Sequence, residues 1–128
     1  MLLKWILIST ITTATVYNAE PAQCNSDYTV TASGYKIDTE RIEKLRIVAM
    51  ERTMMEKLGV AYGDTILVKC AGPYDGEWVV HDTMNKKYAG QHRIDFLVPK
   101  NIRSGKWSGV CVYKRDKELK QCVPIGPE

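Results

Sequence analysis

Two stretches decide the fold: WVVHDTMN at Trp78–Asn85 and, after a polar loop, RIDF at Arg93–Phe96. In each stretch apolar residues alternate with polar ones, as on a half-buried strand, and an aspartate stands near one end, Asp82 and Asp95 respectively. A carboxyl group at a strand end beside apolar walls has a raised pKa. An acid that protonates a glycosidic oxygen near neutral pH needs this property. The same spacing also fits a structural ion pair between Arg93 and Asp95.

Short strand-like runs continue along the chain, separated by Gly, Pro, Asp or Asn. The predicted strands are Tyr28–Gly34, Arg46–Met50, Thr65–Lys69, Glu77–His81, Arg93–Val98, Gly109–Tyr113 and Leu119–Val123. Two brief helices are predicted, Glu40–Leu45 after a Thr39 cap and Thr53–Leu58 before Gly59. Short strands at this spacing predict a mainly β domain, either a small barrel or a sandwich.

The same residues resemble a known family. DTMN at Asp82–Asn85 followed by RID resembles the D-T-G-G…R-I-D signature of the 3D (three-aspartate) domain, which is related to the membrane-bound lytic transglycosylase A core, rare lipoprotein A and the expansin barrel. Three upstream segments are similar, in order, to the family's opening strand, its A-V-D-P segment and its L-G-T-x-V-x-V strand: Thr31–Tyr35, Val48–Glu51 and Val60–Val68. The resemblance implies a small six-stranded double-psi β-barrel with one or two short helices.

The resemblance also implies an activity: cleavage of the peptidoglycan glycan strand by a lytic transglycosylase. By position, Asp95 takes the role of the catalytic acid/base. Asp82 would hydrogen-bond to Asp95 or hold it protonated, because two nearby carboxylates resist double ionisation. Glu51 would take the place of the third carboxylate. Structural alternatives remain for each: an ion pair of Asp95 with Arg93 or Arg103, a turn cap formed by Asp82 through Thr83, and a solvated surface position for Glu51.

The chain departs from the family pattern in the loop after Asp82. Met84-Asn85 replaces a glycine pair that would let the backbone approach a sugar closely. This departure, with Glu in place of the first Asp, favours a second function, a non-catalytic peptidoglycan- or polysaccharide-binding module of the expansin type. A third interpretation is a secreted, disulfide-stabilised inhibitor or effector.

Substrate-binding candidates are aromatic residues, which stack on pyranose rings, and polar loop residues, which reach hydroxyl groups or a muropeptide carboxylate. They are Tyr88, Asn85, Lys86, His92, Tyr35 and Trp107. Trp78, within a strand, is interpreted as core.

Length and composition limit the function classes. A chain of 128 residues with 45% apolar residues is one globular domain, expected to be a monomer. Its net charge of +3 and the lack of a basic cluster interleaved with aromatics argue against nucleic-acid binding. No sequence motif for a metal or another cofactor is present, so none is predicted.

The N-terminus has the pattern of an export leader. Lys4 precedes an uncharged, apolar and hydroxyl-bearing run that ends near Val16. Residues 1–19 are therefore predicted to be a signal peptide and 20–128 the barrel domain, secreted or held in the periplasm or cell envelope, with no membrane span after cleavage. An uncleaved anchor and lipidation at Cys24 are the alternatives.

An even number of cysteines in an exported small domain predicts disulfides. The expected pairs are Cys111 with Cys122, which flank a polar turn, and Cys24 with Cys70. Free buried thiols are the alternative.

Overall fold

The computed structural model describes residues 4–20 and 28–116. Its regular elements are β1 (Trp5–Tyr17), α1 (Ile42–Leu45), β2 (Ile47–Met50), α2 (Arg52–Leu58), β3 (Thr65–Lys69), β4 (Gly76–Thr83), β5 (Arg93–Leu97) and β6 (Lys106–Arg115). Short 3-10 turns lie at Gly72–Tyr74 and Lys86–Tyr88.

The six strands close into a barrel in the order β1-β5-β2-β4-β3-β6, and β6 returns to β1. Two pairs, β1–β5 and β2–β4, are parallel, whereas the other pairs are antiparallel. Closure matters because an open sheet would leave backbone donors and acceptors unpaired at its edges. The prediction of a small, mainly β barrel with two short helices is confirmed.

Alternate strand residues point inward and fill the barrel. Phe96 is fully buried, and its ring lies 4.6 Å from Trp78 and 5.2 Å from Tyr74 between centroids. Trp78 is 3% exposed, in agreement with its interpretation as core. This aromatic packing fixes β4 and β5, the strands that carry Asp82 and Asp95, relative to each other.

A second apolar cluster lies on the outside of the barrel. Ile47 of β2 and Leu97 of β5 alternate with the inward-facing residues and pack instead against Ile37 and Ile42. This contact holds the segment from residue 28 to α1 against the outer barrel wall, next to the two aspartate-bearing strands.

The N-terminal segment predicted as a leader lies in the barrel wall as β1. Ala14 is fully buried, and just after the strand the Asn18 side-chain amide donates to the carbonyl oxygens of Val98 and Pro99 at 3.2 and 3.0 Å. The segment is rich in Ile, Thr and Val, whose β-branched side chains favour strands, and this composition accounts for the difference. Cleavage after residue 19 stays a prediction, and it would remove one of the six strands.

The strand predicted at Tyr28–Gly34 is wrong. That segment is a turn held by one isolated bridge between Val30 and Lys36. Its alternating pattern arises because Thr31 is buried between exposed neighbours, without a partner strand. The strand predicted at Leu119–Val123 lies outside the described residues.

α1 begins at Ile42, two residues after its predicted start, and α2 begins at Arg52, one residue before its predicted start. α1 follows Arg41 rather than Thr39 and has no side-chain cap, whereas α2 ends at Gly59 as predicted, with φ of 71°. This left-handed conformation is one that glycine adopts without strain. Among the described residues, no helix has the length and apolar character needed to cross a bilayer.

Neither predicted disulfide is present in the described part of the chain. Cys70 is exposed and Cys111 half-buried, both as free thiols. Their predicted partners, Cys24 and Cys122, lie outside the described residues, so both pairings stay predictions.

Candidate active site

The two aspartates lie in one row across the outer barrel wall. Strand pairing sets Thr15 of β1 beside Asp95 of β5, Asp95 beside Ala49 of β2, and Ala49 beside Asp82 of β4. Neighbouring strands are about 4.8 Å apart, so residues in register share a face. The small Ala49 side chain between the aspartates leaves open space above the sheet.

A β-bulge turns Asp82 into this row. Val48 pairs with Val80, but the next residue, Ala49, pairs with Asp82, so His81 is an extra residue in β4. Without the bulge, Asp82 would point to the same side as the buried Val80, because side chains alternate along a strand. Bulges commonly re-aim a side chain beside an active site, and this one brings Asp82 to the face that carries Asp95.

A cleft of about 850 Å³ opens above the row of aspartates. Its volume is in the range usual for small-molecule and oligosaccharide sites. The lining comes from the ends of β1, β2, β4 and β5, from the turn at residues 28–37, and from the loop after β4. The lining residues are Thr15, Val16, Tyr17, Tyr28, Val30, Thr31, Ala32, Ile37, Ala49, Arg52, Asp82, Thr83, Met84, Asn85, Lys86, Lys87, Tyr88, Arg93 and Asp95.

Asp95 is the unusual acid of the cleft. Burial raises its pKa from 3.8 to about 6, and the charge of Asp82 adds to this rise. Two contacts act in the opposite direction: the Thr15 hydroxyl donates to Asp95 Oδ1 at 2.9 Å, and Arg93 contributes its positive charge. The result is a carboxyl group that exchanges its proton close to neutral pH.

Asp82 is held by three hydrogen-bond donors. The Tyr17 hydroxyl donates to Oδ2 at 2.9 Å, and the backbone amides of Ala32 and Thr83 each donate to Oδ1 at 3.0 Å. The Ala32 bond also fastens the turn at residues 28–37 beside the cleft. Asp82 therefore has a fixed orientation, and its predicted turn contact with Thr83 is present together with its position in the cleft.

Glu51 does not lie in the cleft but caps helix α2. It is 2% exposed, and its carboxylate accepts hydrogen bonds from the Thr53 hydroxyl and from the amides of Thr53 and Met54. Burial alone would raise the pKa of Glu51, but these bonds outweigh burial and lower it. Glu51 thus does not line the cleft with the two aspartates, and it is not a solvated surface group. Helix capping explains its position, because the first amides of a helix lack partners.

Three of the predicted substrate-binding residues line the cleft, and all belong to the loop after β4. Asn85 accepts a bond from the Lys87 amide and so starts the 3-10 turn that carries Lys86 and Tyr88. The Tyr88 ring lies under the Arg93 guanidinium, 4.4 Å from its centroid to the guanidinium carbon. Stacking of this kind fixes both side chains in the cleft wall.

The other three predicted binding residues lie outside the cleft. His92 Nδ1 is 2.9 Å from the buried Ser9 hydroxyl of β1, and Tyr35 stacks on His81 at 4.5 Å between ring centroids. Trp107 packs against the aromatic core. These rings satisfy structural contacts of the barrel and of the turn at residues 28–37, so they are unavailable as sugar platforms in this cleft.

Sequence reasoning missed the donors that β1 contributes. Thr15 and Tyr17 alternate on one face of the strand and bond to Asp95 and Asp82 respectively. Their run also fits a leader, and that interpretation hides the alternation of Ala14 toward the core with Thr15 and Tyr17 toward the cleft. The clustered β-branched residues were the signal that could have found them.

Among the described residues, no three His, Cys, Asp or Glu side chains are grouped closely enough to hold an ion. Comparison of the chain with protein-family models found no match, and comparison with curated proteins found none either. The resemblance to the 3D domain therefore rests on motif order alone.

Proposed function

We propose that this protein cleaves the glycan strand of peptidoglycan by lytic transglycosylase chemistry, with Asp95 as the single acid/base. The observation that carries the proposal is the Asp95 carboxyl, whose pKa of about 6 lies close to neutral pH at the floor of an open cleft. An acid with an ordinary aspartate pKa would be almost fully ionised at neutral pH and could not donate its proton efficiently.

The proposed reaction needs one carboxyl group. Asp95 gives its proton to the glycosidic oxygen as the bond from that oxygen to the anomeric carbon of the muramyl sugar breaks. The resulting carboxylate accepts the proton of the same sugar's C6 hydroxyl as the C6 oxygen bonds to the anomeric carbon. Asp95 is thereby reprotonated, an anhydro sugar is formed and no water is consumed. Ordinary glycosidases need a second carboxylate as nucleophile or base.

Asp82 supports this role from a fixed position. Its charge raises the pKa of Asp95, which favours the protonated form needed for the first step. Its three donors hold it where it is, so it acts on Asp95 through space rather than by moving.

We further propose that the protein is exported and that it retains its N-terminal segment. Thr15 and Tyr17, which bond to the two aspartates, belong to the predicted leader. Removal of residues 1–19 would take both donors from the site. An active enzyme with this cleft therefore retains the segment, as in the uncleaved form considered from the sequence, and N-terminal sequencing of the exported protein checks this point. Disulfides from Cys111 to Cys122 and from Cys24 to Cys70 belong to the same proposal, and peptide mapping without reduction would detect them.

A non-catalytic glycan-binding module is the second candidate. It is favoured by Met84, which is buried at the cleft where the family carries glycine, and by the aromatic lining of Tyr28 and Tyr88. Such a lining suits sugar binding whether or not cleavage follows.

The test is digestion of purified peptidoglycan by the full chain and by its Asp95→Asn variant, with products identified by mass spectrometry. Glu43→Gln is the matched control, because Glu43 is an exposed acid of α1 away from the cleft. Anhydromuropeptides from the parent and the control, with none from Asp95→Asn, support the proposal. Reducing-end products indicate hydrolysis instead. If no products form but the protein sediments with the sacculi, the binding module is the better description.

A further inference from the structure

The cleft lining carries more positive than negative charge. Four cationic side chains, Arg52, Lys86, Lys87 and Arg93, line it together with two acids, Asp82 and Asp95. Three of the cations belong to the segment from the 3-10 turn to the start of β5. That segment is tied to the start of α2 by hydrogen bonds from the Gly90 amide to the Thr53 hydroxyl and from the Glu51 amide to the Arg93 carbonyl.

The remaining wall of the cleft is neutral. The turn that contributes Tyr28, Val30, Thr31, Ala32 and Ile37 presents no charged side chain to the lining. The cleft therefore has a basic wall, formed by Arg52, Lys86, Lys87 and Arg93, and an uncharged wall, formed by the turn at residues 28–37.

The cations of the basic wall outnumber the acids of the cleft lining, four to two. Within residues 4–20 and 28–116, the ion pairs join Arg41 to Asp38, Arg103 to Glu20 and Arg115 to Glu77. None of these includes a cation of the basic wall. The acids that line the same cleft are Asp82 and Asp95, and the charge of Arg93 acts on Asp95, so the lining keeps an excess of positive charge. Such an arrangement destabilises the free protein and attracts an anionic ligand.

Arg93 is the best-placed of these cations. Its guanidinium is already ordered by the Tyr88 ring, so little side-chain entropy is lost on binding. In the described part of the chain its side chain makes one long hydrogen bond, 3.4 Å from Nη1 to Gln91 Oε1, and its enclosed Nε has no acceptor. It comes from the same strand as Asp95, two residues away. An anion held here would lie beside the bond that Asp95 protonates.

We propose that the basic wall binds a carboxylate substituent of the glycan, with Arg93 as the specificity-determining residue. The inference rests on the proposed function and deepens it: the site prefers glycan whose muramyl carboxylate is free over glycan in which that group is amidated, and over a neutral polymer such as chitin. The planar guanidinium matches a carboxylate better than it matches a hydroxyl group. A bound carboxylate would also offset the effect of Arg93 on Asp95, and so favour the protonated acid in the complex.

The test compares the affinity of the full chain for peptide-stripped glycan strands with free carboxylates, for the same strands after amidation of those carboxylates, and for chito-oligosaccharides of equal length. The expected result is that the free-carboxylate strands bind at least about tenfold more tightly than either neutral ligand, and that added salt reduces this difference. Arg93→Gln should remove this preference, and Arg93→Lys should restore part of it. Lys44→Gln, an exposed cation of α1, should leave it unchanged.

Equal affinity for the free and amidated strands would overturn the inference, as would an equal effect of Arg93→Gln and Lys44→Gln. A parallel measurement uses sacculi treated with hydrofluoric acid to remove phosphodiester-linked polymers. Loss of binding after that treatment would identify phosphate as the bound anion and overturn the carboxylate assignment. Charge-selective binding without cleavage would refute the proposed function alone, and cleavage of free and amidated strands at equal rates would refute this inference alone. Circular dichroism spectra of all variants confirm that each is folded.

Discussion

Replacing Asp95 with asparagine should make the folded protein more stable at neutral pH. The Asp95 carboxyl has a pKa of about 6 in the folded protein, against 3.8 for an unperturbed aspartate, because burial disfavours its charged form. Between these values the folded state binds more protons than the unfolded state, so stability falls as pH rises from about 4 to about 6. Asparagine is nearly isosteric, can still accept the Thr15 hydroxyl, and carries no charge.

The size of the effect follows from proton affinity. A shift of one pKa unit corresponds to about 1.4 kcal/mol. The rise of the Asp95 pKa from 3.8 to about 6 therefore means that the ionised carboxylate costs the folded state about 3 kcal/mol at pH 7. At pH 4 the carboxyl is protonated in the folded protein and the cost is less than about 1 kcal/mol. The free energy of unfolding of Asp95→Asn should therefore exceed that of the parent by about 3 kcal/mol at pH 7, and by little at pH 4.

Urea denaturation of both proteins at a series of pH values measures this difference. Asp82→Asn is the matched control and should have the opposite sign. The Asp82 carboxylate accepts three hydrogen bonds, and an amide that replaces one oxygen leaves a donor without its acceptor, at a cost of about 1 to 2 kcal/mol. A gain for Asp95→Asn that does not depend on pH, or a loss at pH 7, would refute the raised pKa and with it the assignment of Asp95 as the acid.

Four further outcomes are expected. Cleavage of peptidoglycan should fall about tenfold for each pH unit above about 6, as Asp95 loses its proton; a flat profile would contradict its role as the acid. Thr15→Val removes a donor to the Asp95 carboxylate, so the fall should move to higher pH, whereas an unchanged profile would show that this bond does not tune the acid. Glu51→Ala removes the α2 cap and should cost about 1 to 2 kcal/mol in thermal or urea unfolding without changing the pH profile of cleavage. A variant that lacks residues 1–19 loses β1 and should show no cooperative unfolding transition, whereas a sharp transition would mean that the barrel closes without this strand.

The two aspartates of the site could be predicted from the sequence, because each lies on a strand with a recognisable pattern. β4 and β5 alternate clearly, and their aspartates do come together in one cleft. What brings Asp82 to the correct face is a bulge at His81, and alternation alone cannot reveal a residue that interrupts it. The order of the motifs placed Glu51 in the site. In the structure Glu51 is the N-cap of α2 and does not line the cleft.

The sequence misled where local composition has two physical interpretations. An uncharged run of about a dozen residues suits both an export leader and a strand of a barrel wall. Burial of Ala14 and the bonds made by Thr15 and Tyr17 depend on partners that lie far away in the chain. Within the first 20 residues, the β-branched composition indicates a strand but not the partners of that strand.

The position of β1 in the barrel has a consequence for how the chain reaches its folded state. β1 precedes the other described strands in the chain, yet its partners β5 and β6 are the last two of the described strands, and Thr15 and Asp95 are 80 residues apart. The barrel therefore cannot close until β5 and β6 have been synthesised, and contacts of such high sequence separation form slowly. Until then the nascent chain presents β1 as an unpaired apolar segment, so factors that bind unfolded chains can reach it before its partner strands exist.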